Sequence, residues 1–436
     1  MTDDVDEDGG GDGQGDDSPG AMGGRLPGAP TSDRDRIVLH VDMDCFYAAC
    51  ERLRDPDLAG EPLVVGMGYE DGETFGAVAT ASYEAREYGV ESAQAISEAL
   101  ERLPRRAEHP DDPDAGYYRP VDMDYYQEIG GQVKEILHDV ADTVREVSID
   151  EAYLDVTDRT SWDVAEGFAR HVRQRIDREV GVTASVGVAP NMVTAKIASD
   201  HDKTDGLVVV EPGEVQSFLA PLDIDELHGI GPVTARALRD RGVETVGDLA
   251  DADVAAMEDA HGERGRELVR RARGIDEREV TPKGRPKSLS RESSFAAATE
   301  DAERKREQVR ALAGPVADRA RRKGAMYRTI GIKVVTTPYD VNTRERSLPG
   351  PVDEPDLVEE VALELLEEFA DAEVRKVGVR VSNLSFDDAD QANLDAWEGE
   401  GDGDWAGGAD DWRAVDGERR RSRTRDGQSS LGDFGE

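Results

Sequence analysis

Cysteine is almost missing from this chain: Cys45 and Cys50 are the only two in 436 residues. That excludes a disulfide scaffold and a zinc site built on cysteine pairs. Long apolar runs are also missing, and none approaches the roughly 18 residues a membrane span needs. No basic stretch followed by an apolar one opens the chain, so no secretory signal and a cytoplasmic location are expected. Lysine is scarce, nine against 44 arginines, and basic residues together are outnumbered, 53 against 96 acids, for a net charge of −43. Read alone, that charge argues against a DNA-binding protein, because phosphate repels carboxylate. Scarce lysine on a heavily carboxylated chain also fits a protein working in molar salt, where the Debye length is roughly 3 Å. A halophilic source is expected.

The acid is uneven. Residues 1–24 hold eight acids and no base, and residues 387–416 hold eleven acids and one Arg, both mixed with glycine. Such segments bury too little apolar surface to offset their ordering entropy, so disordered acidic tails are expected at both ends. One region reverses the trend. Lys283 to Arg346 carries 16 bases and 8 acids, a net of +8. A basic island in an acidic chain points to an anionic partner, or to an Arg-rich helix face.

The length predicts two to four domains. IVLHVDMD (37–44) reads as a buried strand ending in acid, with Asp42 and Asp44 on one face. Two strands are expected around an apex at Ile149-Asp150-Glu151. Strands and helices then alternate to Val210, which predicts an α+β sheet with helices packed on one face. Pro104–Pro120, with its four prolines, reads as loop. Leu222–Gly274 reads as short helices punctuated by glycine, and 281–288 as a linker. Residues 291–386 give four strands and two helices, a small separate α/β domain.

Asp42, Asp150 and Glu151 each place a carboxylate beside a strongly apolar strand. Gathered at adjacent strand ends they would repel one another unless a cation joined them. Hard oxygen ligands favour Mg²⁺ or Mn²⁺. Two such ions can hold a triphosphate and activate a sugar hydroxyl for in-line attack. Taken singly, each acid is more simply read as an ordinary strand-end residue of an acidic chain.

Five segments in order narrow this: VDMDCFYAACE, ATASYEAREYGV, SIDEAYLD, GVAPNMVTAKIASDHDKTDG and GIG. Together they resemble the Y-family, or translesion, DNA polymerases, most closely the polymerase IV branch, from about Ile37 to Phe386. A halophilic archaeal member is implied. The resemblance implies an α+β multidomain right hand: a tail over 1–35, a palm over 36–45 and 120–212, fingers over 46–119, a helical thumb over 213–281, a linker over 282–289, a little finger over 290–386, and a tail over 387–436.

It also implies roles. Asp42, Asp150 and the Met43 backbone carbonyl match metal ligands for two Mg²⁺, with Mn²⁺ as a substitute. Glu151 matches the active-site acid near the primer terminus and a further metal ligand. Tyr47 resembles the steric gate against ribonucleotides, and Phe46 the residue packing beneath the nucleotide. Thr80, Tyr83, Arg86 and Lys203 match triphosphate contacts. Asp44 belongs to the motif with no metal assigned. Cys45 departs from the aromatic of some relatives, which leaves local packing open. Gly229 and Gly231 resemble a helix-hairpin-helix that lets backbone N–H groups approach a phosphate. Lys283, Arg285, Lys287, Arg291, Arg344 and Arg346 lie in the basic island, where phosphate positioning is expected. Partners implied are primer-template DNA and dNTPs, with no membrane and a monomeric enzyme.

Gln428, Leu431 and Phe434 fit the Q-x-x-L-x-x-F pattern of peptides that bind a sliding clamp, although Gly435 stands where a second aromatic is usual. Two rivals share part of this pattern. A palm-type nucleotidyl cyclase also uses paired carboxylates, but it needs no helix-hairpin-helix and no basic C-terminal domain. A non-catalytic factor binding DNA and the clamp needs no complete set of acids, gate and phosphate donors.

Overall fold

The computed structural model describes residues 36–386; Gln428, Leu431, Phe434 and both acidic tails lie outside them. The first part runs β1 (Val38–Met43), α1 (Phe46–Arg54), β2 (Leu63–Met67), β3 (Ala77–Ala81), α2 (Tyr83–Glu87), α3 (Ile96–Arg102), β4 (Tyr117–Pro120), α4 (Met123–Val140), β5 (Thr143–Glu146), β6 (Glu151–Asp155), α5 (Trp162–Val180), β7 (Ala184–Ala189), α6 (Met192–His201) and β8 (Leu207–Val209). Five short helices follow: α7 (Val215–Leu219), α8 (Pro232–Arg239), α9 (Val246–Asp251), α10 (Val254–His261) and α11 (Glu263–Ala272). The last part is β9 (Ser288–Thr299), α12 (Ala302–Arg322), β10 (Ala325–Thr336), β11 (Asp340–Val352), α13 (Pro355–Leu366) and β12 (Val374–Phe386).

The first sheet has the order β5-β6-β1-β7-β8. Central β1 is antiparallel to both neighbours, so Asp42 lies opposite Glu151 on one side and Ser185 on the other. The strand's period of two divides its side chains. Ile37, Leu39 and Val41 join the core formed with α4 and α5. Val38 packs instead with Met192, Val193, Ala195 and Ile197 of α6. His40 and Asp42 share that second side by parity. The expectation of helices on one face is therefore corrected. Helix α6 covers part of the opposite face, because its apolar stripe has Val38, Tyr153 and Ala189 to bury against.

A second sheet, β3-β2-β4, carries a further correction. The segment expected to be loop over 104–120 ends in β4, which pairs in parallel with β2. Its prolines hid it: only Pro120 lies inside the strand, at its last position, where an edge strand tolerates it.

The third sheet has the order β11-β10-β12-β9 and is antiparallel throughout, so this unit is α+β rather than α/β. Helices α12 and α13 pack into one core with Ile330, Ile332, Val334, Val377, Val379 and Val381. Strand β9 begins at Ser288, inside the segment expected to be linker. The α12 residue Lys305 is fully buried in this core. Its ammonium donates to the Phe369, Ala370 and Ala372 carbonyls at 2.9, 2.6 and 3.0 Å, closing the turn after α13. Helix C-terminal carbonyls have no intrahelical donor, so a cation there satisfies them and the dipole together. Lys305→Met is expected to cost about 2 kcal/mol of unfolding free energy, because it takes this donor from the Ala370 and Ala372 carbonyls, while Phe369 keeps the Ala372 amide. Urea unfolding monitored by circular dichroism checks this, and an unchanged midpoint would refute it.

Candidate active site

The site grows from the C-terminal end of β1. Asp42 is 8% exposed and meets two ammonium groups, Lys196 Nζ at 2.7 Å from Oδ2 and Lys203 Nζ at 2.6 Å from Oδ1. Burial works to raise the Asp42 pKa, but the two lysines outweigh it and hold the carboxyl below its ordinary value. Glu151 lies across the strand pair, with Lys196 Nζ 3.1 Å from Oε2 and the His40 ring nitrogen 3.6 Å away. Burial opposes its ionisation, yet His40 and Lys196 bring its pKa down to about 2. Asp150 differs. Burial raises its pKa, and the charges of Asp42 and Glu151 add to this; the Ser148 hydroxyl, which donates to Oδ1, only partly offsets them. Its carbonyl accepts from the Met43 amide at 3.0 Å, which ties the two strand ends together. Met43 itself is buried.

His40 Nε2, Asp42 and Glu151 offer ligand atoms within 4.8 Å of one another. His40 is completely buried, and its Nδ1 lies 2.8 Å from Ser199 Oγ. Sequence reasoning missed both His40 and Lys196. Signals for them existed: His40 is two residues before Asp42 on the same strand face, and Lys196 is one helical turn before Asp200.

Asp44 does not face the others. It accepts from Ser185 Oγ at 2.9 Å, the Asp205 amide at 2.8 Å and the Tyr83 hydroxyl at 3.2 Å. It ties the end of β1 to β7, to the turn after α6 and to α2. Cys45 follows in the left-handed region (φ 46°, ψ 46°) at the N-cap of α1, with Sγ 3.4 Å from the Ala81 carbonyl. Tyr47 is half-buried and stacks on Tyr126, ring centroids 4.6 Å apart and planes at 19°. Burial pushes its hydroxyl up to about 12. Phe46 is sealed in the core, 5.9 Å from the Tyr47 ring.

Thr80 sits half-buried in β3 opposite Val65. Arg86 Nε donates to the Ala81 carbonyl at 3.1 Å, and its guanidinium lies 4.9 Å from the Tyr83 ring centroid. Tyr83, from α2, thus meets Asp44, and Lys203, from the turn after α6, meets Asp42, with Arg86 beside the Tyr83 ring.

Gly229 adopts φ +99°, a conformation that favours glycine, and a Cβ there would come within 2.8 Å of Arg271 Nη1. Gly231 is the N-cap of α8. Arg271 and Arg264 of α11 donate to the His228 and Gly229 carbonyls at 3.2 and 2.7 Å. The turn's carbonyls are thereby held from one side. In the basic island, Lys283 Nζ is 3.5 Å from the Val147 carbonyl. Arg285 donates to the Phe386 carbonyl at 3.0 Å. Lys287 and Arg291 are exposed. Arg344 and Arg346 are ion-paired with Glu368 and Glu364, at 2.7 and 2.5 Å.

Family models match three stretches of the chain: the impB/mucB/samB family over 41–200, the IMS family HHH motif over 212–243, and the impB/mucB/samB family C-terminal domain over 286–395. A DNA polymerase IV of Halobacterium salinarum is 69% identical over 385 residues, covering 88% of this chain and 93% of that protein. One from Methanoculleus marisnigri is 42% identical, covering 83% and 98%. Among solved structures, a Y-family polymerase chimera of Dbh and Dpo4 is 31% identical with a TM-score of 0.71, covering 80% of this chain and all of the other. An insertion ternary complex of Dbh DNA polymerase is 30% identical with a TM-score of 0.58, at the same coverage. Three family models in order along the chain, and relatives that share 42–69% identity over most of both chains, agree, and the chain belongs to the impB/mucB/samB family of Y-family DNA polymerases, on the polymerase IV branch.

Proposed function

We propose that the chain adds dNTPs to a primer 3′-hydroxyl under template direction, at low fidelity and without proofreading, as a translesion polymerase of DNA damage tolerance and repair. The observation that carries this is the register pairing of Asp42 with Glu151, with Asp150 beside them, at one sheet end in a chain of this family. Asp150 tests whether a divalent ion fits. It is a half-buried carboxylate whose ionisation is opposed by desolvation and by two acidic neighbours, and a cation would remove that penalty. The donors are mainly carboxylate oxygens, which suit Mg²⁺ or Mn²⁺. Asp42, Asp150, Glu151 and the Met43 carbonyl would hold two such ions. When bound, these supply Lewis-acid activation of the primer hydroxyl and neutralise charge developing on the phosphates.

The remaining roles belong to the chain's own side chains. Lys203, Tyr83 and Arg86 are donors for the β- and γ-phosphates, with Thr80 adding a hydroxyl. Tyr47 closes the space a 2′-hydroxyl would need, and Phe46 backs it from the core. Backbone N–H groups at Gly229 and Gly231 grip the duplex without reading sequence. Lys287 and Arg291 contact its phosphates from the exposed surface, and Lys283, Arg285, Arg344 and Arg346 do so once their internal partners are exchanged. A monomer in the cytoplasm of a halophile suits the charge and the Halobacterium relative. Primer extension in high KCl with Mg²⁺ tests the reading; no extension by the wild-type chain would refute it.

The tail peptide of Gln428, Leu431 and Phe434 is read as the attachment to a sliding clamp. Deleting residues 428–436 is expected to abolish clamp-stimulated synthesis and spare basal synthesis. Extension assays with and without the clamp check this, and undiminished stimulation would refute it.

A further inference from the structure

Asp42 is met by two cations, and neither stops there. Lys196 Nζ, 2.7 Å from Asp42 Oδ2, is also 3.1 Å from Glu151 Oε2. Asp200 then takes both lysines, Lys196 at 3.2 Å and Lys203 at 3.0 Å. Lys196 and Asp200 are one turn apart on α6, and Lys203 lies three residues further on. One helix end therefore offers two ammonium groups and one carboxylate to the strand acids.

This unit is held in place. The Asn191 side chain caps α6 by accepting from the Thr194 amide at 2.9 Å, and donates to the Gly274 carbonyl at 3.0 Å. Asp276 accepts from the Val193 amide at 3.2 Å. Lys196 is largely buried, whereas Asp200 stands at the solvent edge. Three carboxylates face two ammonium groups, so most of the local charge is compensated by the chain itself. An oxygen lone pair directed at an ammonium is not available to a metal ion, so a divalent cation arriving at Asp42 and Glu151 has to displace N–H donors.

We propose that Lys196 and Lys203 are built-in counter-ions that compete with the divalent metal for Asp42 and Glu151, and that Asp200 retains both ammonium groups when they are displaced. This rests on the reading of Asp42 and Glu151 as metal ligands. A triphosphate offers Lys203 an alternative anion. Drawing the ammonium away frees Asp42 Oδ1, so metal loading is coupled to nucleotide capture, and by linkage each raises the affinity of the other by the same factor. Lys196 is bonded to Asp200 as well, and stays on that carboxylate when the metal displaces it from Asp42 and Glu151.

The test is Mn²⁺ binding to the full-length protein in molar KCl, without DNA, read by electron paramagnetic resonance of the free ion. Lys196→Met and Lys203→Met are each expected to bind Mn²⁺ about tenfold more tightly than wild type, because a competitor has been removed. Should Lys196→Met fail to fold, Lys203→Met on the turn after α6 carries the same test. A non-hydrolysable dNTP analogue should tighten Mn²⁺ binding more in wild type than in Lys203→Met. Asp42→Ala should weaken binding in every case. Lysine variants that bind Mn²⁺ equally or more weakly, beside a weakened Asp42→Ala, would overturn the counter-ion role and leave the metal-site reading standing. An Asp42→Ala variant that binds like wild type would overturn that reading itself.

Discussion

Asp150→Ala is expected to lower primer extension in Mg²⁺ by about 10³-fold, a barrier increase of roughly 4 kcal/mol, while leaving the fold at least as stable as wild type. The two effects separate because the residue does two things. Its backbone carbonyl accepts from the Met43 amide, and alanine keeps that bond. Its side chain is a half-buried carboxylate in the field of Asp42 and Glu151, with Ser148 as its hydrogen-bond donor. Removing it relieves desolvation and like-charge repulsion in the free protein. Functional sites commonly carry such a cost, so stability and activity should move in opposite directions. Single-turnover extension and a thermal melt in the same KCl buffer check both halves. Extension equal to wild type would remove Asp150 from the catalytic set. Loss of activity together with a lower Tm would assign the effect to folding.

Tyr47→Ala is expected to raise ribonucleotide incorporation relative to deoxynucleotide by about 10²-fold, the discrimination a single well-packed contact can supply. The discrimination depends on what prevents the ring from yielding. It stacks almost parallel on Tyr126, which is fully buried and donates its hydroxyl to Glu51 at 2.7 Å. Glu51 is one turn beyond Tyr47 on α1, so the ring and its support are fixed to the same helix. A ring stacked on so fixed a neighbour gives up that contact if it turns aside from a 2′-hydroxyl. Tyr47→Phe keeps the ring and should keep the discrimination. The ratio of kcat/KM for rNTP and dNTP measures this, and an unchanged ratio in Tyr47→Ala would remove the gate role.

The charge illustrates how far composition reaches. The +8 counted over 283–346 stops short of Glu364 on α13 and Glu368 in the turn after it, which pair with Arg346 and Arg344. The island is real in sequence and partly neutralised in space. A window along the chain cannot see a partner brought to it by a sheet edge. Primer-template DNA would have to exchange those pairs rather than meet free guanidinium groups.

Much of the site was legible because its chemistry is written in short contiguous words. Asp42 at a strand end and Asp150-Glu151 between two strands follow from local pattern, whereas Tyr47, at a helix start, enters the site through the family resemblance. Their environments give them their form: an apolar strand fixes its own alternation, and a helix its own turn. What the tertiary structure alone decided lies across the chain. Lys196 reaches Asp42 from 154 residues away. Asp44 owes its structural role to Ser185, Tyr83 and the Asp205 amide, three donors from separate segments. Strand β4 exists because β2, some fifty residues earlier, offers it a parallel edge. Local propensity and motif spacing act within a few residues, whereas ion pairs and sheet edges are set by which segments folding brings together. The sequence by itself named the acids, and the packing of α6 against β1 decided which cations they meet.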